Sequence, residues 1–566
     1  MTVLVRDQIA DLLRTAVQAA QADQSLPELV LPPIDLARPK VAAHGDYSSN
    51  LGLALAKSAK LAPMQIAQTI IAHLPAADFL GKAEAAAPGY INFTLSEAWL
   101  AAQVTRILED GPSWAHLTIG HGKRVQVEHG SANPTGPLTI GSGGPLVIGD
   151  TLANLFEACG YDVQREYYVN DVGSKVRKFG ETVYLRYAQA LGVDEPLPKE
   201  FYPGDFLVEL GKDFAQQYGD KYLNTPRAEA VQALGEVGTQ RVLDHVKQTC
   251  ERMNIHFDRW YSERSLYDGG LFAQVYKMLE DKGLLVEKEG AIWFASQDLG
   301  EDNEAVIIRS PQIIPNPEDR PTYFASDIAY VWDKLAIRNF DRAVYVWGAD
   351  HHGDKPRVLA ATKALGLDPA RVSILLYQLI TIMKDGVEQR GSKSAGNAVA
   401  LHDVIDDVGS DAIRFMLLTR AIDSKIMFDL TLAKEHSDKN PVYYVQYAHA
   451  RIASILRKAS EVLAAVELPE VPEVQLLTHP AELALVRKML ELPVIIEQAV
   501  RDLAPHHLTY YAQDLASTFS TFYRDCKVVD AEAPTLTAAR LQLCRAAKSV
   551  LARTLELMGM TTPEAM

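Results

Sequence analysis

The chain has 566 residues, too long for one domain at the usual size of roughly 150 residues, and 48% hydrophobic content suits a globular protein with sizeable cores. A formal net charge of −16 argues against nonspecific coating of DNA or RNA, although a local basic surface can still hold one folded RNA. No apolar run reaches the roughly 18 residues that span a bilayer, the first 20 residues lack a signal-peptide pattern, and the 4 cysteines include no C-x-x-C pair. A cytoplasmic chain with no disulfide framework, no structural zinc and no membrane contact is expected.

Residues 1–115 open with helical periodicity, break at LPELVLPPIDLARPK, and continue through HGDYSSNLGLALAKSAK to the strand-like PGYINFTL. This predicts a small N-terminal α+β domain. Over residues 116–430 the pattern alternates: KRVQVEH reads as a strand, SANPTGPLTIGSGG as a Gly/Pro-rich loop, and PLVIGDTLANLFEACG as a helix. Ile148, Leu152, Leu155, Phe156 and Cys159 follow helical spacing, and Gly160 sits where a C-terminal cap belongs. DVQREYYV is the next strand, completing a βαβ unit, the seed of a Rossmann-type doubly wound parallel sheet. Amphipathic stretches over about 175–290 predict a helical insertion. The α/β pattern resumes with AVYVWGADHHG and SILLYQLITIM. Residues 431–566 are almost wholly helical, an all-α C-terminal bundle, with PEVPEV at 469–474 as a linker or loop.

A strand, a Gly-rich loop and a helix together can hold phosphate, because free backbone N–H groups and the positive helix end point into one crevice. Gly141, Gly143 and Gly144 would allow close backbone approach, although such a turn is as often only a tight connection. Adjacent His351 and His352 have no Cys or third His to complete a zinc site, so no protein-bound metal is expected.

Several blocks in register sharpen this. VEHGSANPTGPLTIGSG, GDTLANLFEACGYDVQREYYVNDVG, HGDYSSNLGLALAK, GADHHGDKPRV, DVGSDAIRFMLLTR, NPVYYVQYAHARI and LELMGMTTPEAM together resemble the arginyl-tRNA synthetases, a class I family with a Rossmann catalytic domain. The resemblance implies ATP as substrate with Mg2+ arriving on its phosphates, arginine and its tRNA isoacceptors as partners, and a monomer. It places Glu128 at the arginine α-ammonium and Asn133 on the carboxylate side. Tyr323 and Asp327 would line the guanidinium slot, with His351 near the amino acid. Gly348 and Asp350 would approach the ATP ribose. Asp46, Tyr47 and Asn50 fall in the module that meets the tRNA elbow, although D-Y-S-S-N could equally cap a helix. Tyr444, Tyr447 and His449 fall in the anticodon-binding bundle, where exposed aromatics would stack bases. Phe519, Phe522 and Tyr523, at helical spacing, read as core.

The chain departs from the family at both signatures. The first, His-small-Gly-His, is here Thr139, Ile140, Gly141, Ser142, so two hydroxyls replace two imidazoles. The second, Lys-Met-Ser-Lys, is here Arg390, Gly391, Ser392, Lys393, which keeps two cations to clamp pyrophosphate. Catalysis is therefore expected from Thr139, Gly141, Ser142, Arg390 and Lys393, with Ser392 also at the ATP. Three readings remain: an arginine–tRNA ligase, an activation-impaired paralogue that binds tRNA without charging it, and an arginine-activating ligase of a small-molecule pathway.

Overall fold

The computed structural model describes residues 4–295, 304–314, 316–389, 399–463 and 468–566. Strands β1 (Leu36–Ala37), β2 (Tyr47–Ser49), β3 (Leu80–Ala86) and β4 (Tyr90–Leu95) form an antiparallel sheet in the order β1–β2–β4–β3. Ile9, Leu13, Ala16, Val17 and Ala20 of the first helix, Val5–Ala22, are buried at helical spacing. The helix Glu97–Asp110 leads into the next domain, its start capped by the Ser96 hydroxyl, which accepts from the Trp99 N–H.

The central parallel sheet contains β5 (Arg124–His129), β6 (Asp162–Val169) and β7 (Arg259–Ser262). A small antiparallel sheet of β8 (Leu285–Lys288), β9 (Ala291–Phe294) and β10 (Ala305–Ile308) follows. The chain then returns with β11 (Arg342–Gly348) and β12 (Val372–Tyr377). The order β12–β11–β5–β6–β7, parallel throughout, is doubly wound. Chain order reverses between β5 and β11, so the ligand crevice of such a sheet belongs at their carboxyl ends. Beyond β12, β13 (Ile380–Lys384) pairs with β14 (Val387–Gln389) and with β15 (Ile426–Asp429).

Two expectations are corrected. The helix begins at Ile140, inside the segment read as loop, and runs to Ala158 with Pro145 one turn in. Its glycines disfavour helix intrinsically, but packing overrides that. A side chain on Gly144 would overlap the Tyr377 ring, and one on Gly149 the His129 ring, so both glycines let the helix lie close to the sheet. The second correction concerns 175–290. Helices Ser174–Ala190, Asp205–Tyr218 and Arg227–Arg252 form the crossover from β6, but β7 then joins the sheet edge. Four residues carry too little periodicity to register as a strand.

The C-terminal part is a bundle of helices Pro441–Val462, Pro480–Met489, Leu492–Asp502, His507–Asp525 and Pro534–Leu557. Phe519 and Phe522 are core, as their spacing predicts, and Tyr523 is half-buried. All four cysteines are buried and free. Among the described residues no helix is long and apolar enough to cross a membrane.

Candidate active site

Thr139 is the N-cap of the Ile140–Ala158 helix and sits in extended conformation. Its hydroxyl lies 3.5 Å from that of Ser142, so both side chains present oxygens on one side of the first turn. Gly141 is exposed, and a side chain there would meet only the Thr139 hydroxyl, at 3.5 Å. Packing therefore does not require glycine at 141; its absence of side chain leaves the space over the helix start open. The Ser142 N–H is already bonded to the Thr139 carbonyl at 2.8 Å, so what this opening chiefly faces is the positive end of the helix. Leu138 and Ile140 are bonded to the segment that follows the second signature: Leu401 N–H to the Leu138 carbonyl at 2.8 Å, Ile140 N–H to the Val399 carbonyl at 3.1 Å. Arg390, Ser392 and Lys393 themselves lie outside the described residues.

Glu128 and Gly348 lie at the ends of β5 and β11, on either side of the switch point. Glu128 is buried. One carboxylate oxygen accepts from Lys334 Nζ at 2.6 Å, and the other from Trp347 Nε1 at 3.3 Å and Ser131 Oγ at 3.4 Å. Lys334 is fully buried, its ammonium over the Tyr330 and Tyr345 rings at 3.9 and 3.6 Å. Glu128 thus meets any ligand with part of its charge already answered. Asn133 is half-buried on the loop after β5.

Tyr323 and Asp327 are four residues apart on the helix Tyr323–Trp332 and share a face. Tyr323 is 42% exposed, with Lys175 Nζ 5.3 Å from its ring centre. Asp327 has no hydrogen-bond or ion-pair partner among the described residues. Burial, then the negative charges of Asp354, Glu128 and Glu263, holds its carboxyl well above the ordinary carboxylate range. Glu263, at the carboxyl end of β7, is buried and accepts from Ser326 Oγ at 2.5 Å and Asn170 Nδ2 at 3.4 Å. Burial pushes its carboxyl up to about 7. Two such carboxyls, with no cation paired to Asp327 among the described residues, suit a buried guanidinium.

Sequence reasoning missed Glu263 and Lys334. Glu263 directly follows RWYS, and identifying that strand would have placed it at the sheet's ligand edge. Lys334 lies in an apolar helical context, WDKLAI, that reads as surface charge.

His351 and Asp350 follow Gly348 in a short helical turn. The Asp354 carboxylate, 3.0 Å from His351 Nδ1, raises the imidazole above its usual range. Asp350 is exposed beyond the end of β11. Among the described residues no three His, Cys, Asp or Glu side chains gather to hold a metal ion.

The residues expected to face RNA divide. Asp46 is engaged internally, accepting from the Leu95 N–H at 2.8 Å and from Arg487 Nε of the bundle at 2.7 Å. Tyr47 is buried, and so is His449, whose Nδ1 is 2.8 Å from the Pro563 carbonyl. Neither ring has a free face, so the expectation that they meet RNA is corrected; both sit on inward-facing sides of their elements. Asn50 is exposed at the start of Leu51–Ala59, Tyr444 is partly exposed, and Tyr447 is 38% exposed. Tyr447 stacks on Tyr443, and Tyr443 on His436, at 5.7 and 5.5 Å. Beside them lies a groove of about 720 Å³ lined by Tyr447, Arg451, Arg457, Lys458, Tyr523 and Lys527, with no carboxylate side chain in its walls among the described residues.

Three family models match in chain order. They are "Arginyl tRNA synthetase N terminal domain" over residues 7–95, "tRNA synthetases class I (R), catalytic domain" over 103–427, and "DALR anticodon binding domain" over 445–566. The chain is similar to the arginine–tRNA ligase of Dehalococcoides mccartyi strain CBDB1, 44% identical with 99% of each chain covered. That of Carboxydothermus hydrogenoformans is 41% identical, covering 98% of this chain and 97% of its own. The arginyl-tRNA synthetase structure of Thermus thermophilus shares the fold over 100% of both chains, with a TM-score of 0.75 at 23% identity. By these full-length matches, the chain belongs to the arginyl-tRNA synthetases of class I.

Proposed function

We propose that this chain, an arginine–tRNA ligase by its full-length relatives, builds its guanidinium slot from Asp327, Glu263 and Tyr323. The observation that carries this is the Asp327 carboxyl, without a partner among the described residues, beside Glu263 at the ligand edge of a doubly wound sheet, both raised chiefly by burial. In the first step an arginine carboxylate oxygen attacks the ATP α-phosphorus. The bond to the bridging oxygen breaks, and pyrophosphate leaves. In the second, a ribose hydroxyl at the tRNA 3′ end attacks the activated carbonyl, losing its proton as AMP departs.

No side chain forms a covalent intermediate; the protein positions and stabilises charge. Glu128, steadied by Lys334, takes the α-ammonium, and Asn133 the carboxylate. Thr139, Ser142 and the amides around Gly141 face the phosphates, with Mg2+ entering on ATP. Gly348 and Asp350 lie along the ribose, with His351 near the amino acid. Arg390, Ser392 and Lys393 clamp the leaving pyrophosphate. The tRNA anticodon arm lies on the basic groove, with Tyr444 and Tyr447 offering rings to its bases, and Asn50 meets the tRNA elbow.

The test is aminoacylation of total tRNA with each amino acid in turn, with wild-type protein and a Thr139→His, Ser142→His double variant. Charging with arginine alone, made faster by the restored imidazoles, is the expected result. Charging by the double variant only would favour the activation-impaired paralogue. Arginine activation that persists after the bundle is deleted would favour the pathway ligase.

A further inference from the structure

Arg414, on the helix Ser410–Leu417, touches none of the residues given a role above and is fully buried. Its Nε donates to the Met558 carbonyl at 2.6 Å, one Nη to the Met253 carbonyl at 2.8 Å, and the other Nη to the Asp150 carboxylate. Asp150 is buried too, and belongs to the Ile140–Ala158 helix whose first turn is the phosphate loop. One turn further along that helix, Asn154 Nδ2 donates to the Leu557 carbonyl at 3.2 Å. Asn254 Nδ2 donates to the Gly559 carbonyl at 3.0 Å. Gly559 has φ +69°, and a side chain there would overlap the Arg414 guanidinium. Three successive carbonyls at the end of the bundle's last helix are thus each held by a side chain of the catalytic body.

The same segment continues to the basic groove. Thr561 is bonded to Asp411, the Pro563 carbonyl to His449, and the Glu564 carbonyl to Arg457 at 3.0 Å. Arg457 is itself a wall of the groove. Apolar side chains, Leu557, Met558, Met253 and Ile255 among them, are buried on one side of the junction. A cavity of about 460 Å³ opens on the other, lined by Asp150, Asn154, Arg165, Arg553 and Gly559 among others. On that open side the three carbonyl hydrogen bonds add directional register to the packing between tail and helix.

We infer that Arg414 is a positioning residue for adenylate formation. It fixes where the phosphate-loop helix stands relative to the C-terminal bundle, and so where Thr139, Gly141 and Ser142 meet the nucleotide. This rests on the reading of that loop as the ATP site. A helix is stiff, and Asp150 lies about 15 Å along it from the loop. A misplacement of about 1 Å at reacting groups can cost about 100-fold in rate. Arg414 itself touches no reacting atom.

The test uses the full chain with tRNA and reads arginine-dependent ATP–pyrophosphate exchange. Arg414→Lys keeps a charge for Asp150 but loses the fork that also reaches two carbonyls. Gly559→Ala presses on Arg414 from the other side and alters no charge. In both, kcat is expected to fall tenfold or more, with KM for arginine and ATP and Kd for tRNA within twofold of wild type. If Arg414→Lys does not fold, Gly559→Ala carries the test. Variants that melt earlier but keep wild-type kcat per folded molecule would overturn the proposal, as would a raised arginine KM at unchanged kcat. A wild-type protein with no exchange overturns the ATP-site reading and the proposal with it.

Discussion

Glu263 and Asp327 are carboxyls that burial and neighbouring negative charge push toward the neutral acid, and arginine brings the cation that reverses this. A guanidinium needs Glu263 ionised, so below its pKa of about 7 binding must expel a proton. Arginine affinity is therefore expected to rise with pH, release of the Glu263 proton contributing up to about tenfold per unit below that pKa. Calorimetric titration of arginine between about pH 6 and 8.5 in the presence of tRNA measures the slope. Glu263→Gln should flatten it and weaken binding; an unchanged slope in that variant removes Glu263 from the slot. At this scale the sequence was partly legible. Tyr323 and Asp327 were named only through the family resemblance; their four-residue spacing then puts them on one face of the helix Tyr323–Trp332. Glu263 could not, because its position depends on a strand too short to carry its own signal.

The element that matters most is the Ile140–Ala158 helix, and its start was hidden by its own composition. Gly141, Gly143 and Gly144 read as a loop that ends at Pro145, because intrinsic propensity is all that a sequence window reports. The long elements were legible: DVQREYYV coincides with β6, and AVYVWG with all of β11 but its first residue. What propensity could not supply is Tyr377, distant in sequence, whose ring occupies the space a Gly144 side chain would need. Gly144→Ala should therefore cost about 1–3 kcal/mol, the usual penalty for overpacking. It should also slow adenylate formation, by displacing the first turn. Tyr377→Leu in the same chain should recover most of the loss, since it vacates that space; thermal melting and pyrophosphate exchange across the double-mutant cycle check this. A Gly144→Ala variant as stable and active as wild type would show that Tyr377 does not hold the helix start in place.

The whole molecule joins what the sequence keeps far apart. Arg38 of the N-terminal domain pairs with Glu491 at 2.6 Å, and Asp46 with Arg487 at 2.7 Å, so the first domain rests on the bundle formed by the last. Such pairings are invisible to local patterns, and they explain why Asp46, read as RNA-facing, is already engaged. Net charge misleads at this scale in the same way. A chain of −16 repels RNA on average, yet Arg451, Arg457, Lys458 and Lys527 line one groove with no carboxylate side chain among its described walls. If tRNA phosphates lie there, binding releases counterions, and affinity falls steeply with salt. An Arg451→Ala, Lys458→Ala double variant should bind tRNA about tenfold or more weakly at moderate salt. The slope of log K against log salt should shrink by about 0.7–0.9 for each phosphate no longer neutralised. Because Arg451 also lies over the Tyr523 ring at 4.6 Å, Lys458→Ala alone separates charge from packing. A weaker affinity with an unchanged slope in that single variant would mean that the groove does not track phosphates, and that the bundle holds its RNA by another face.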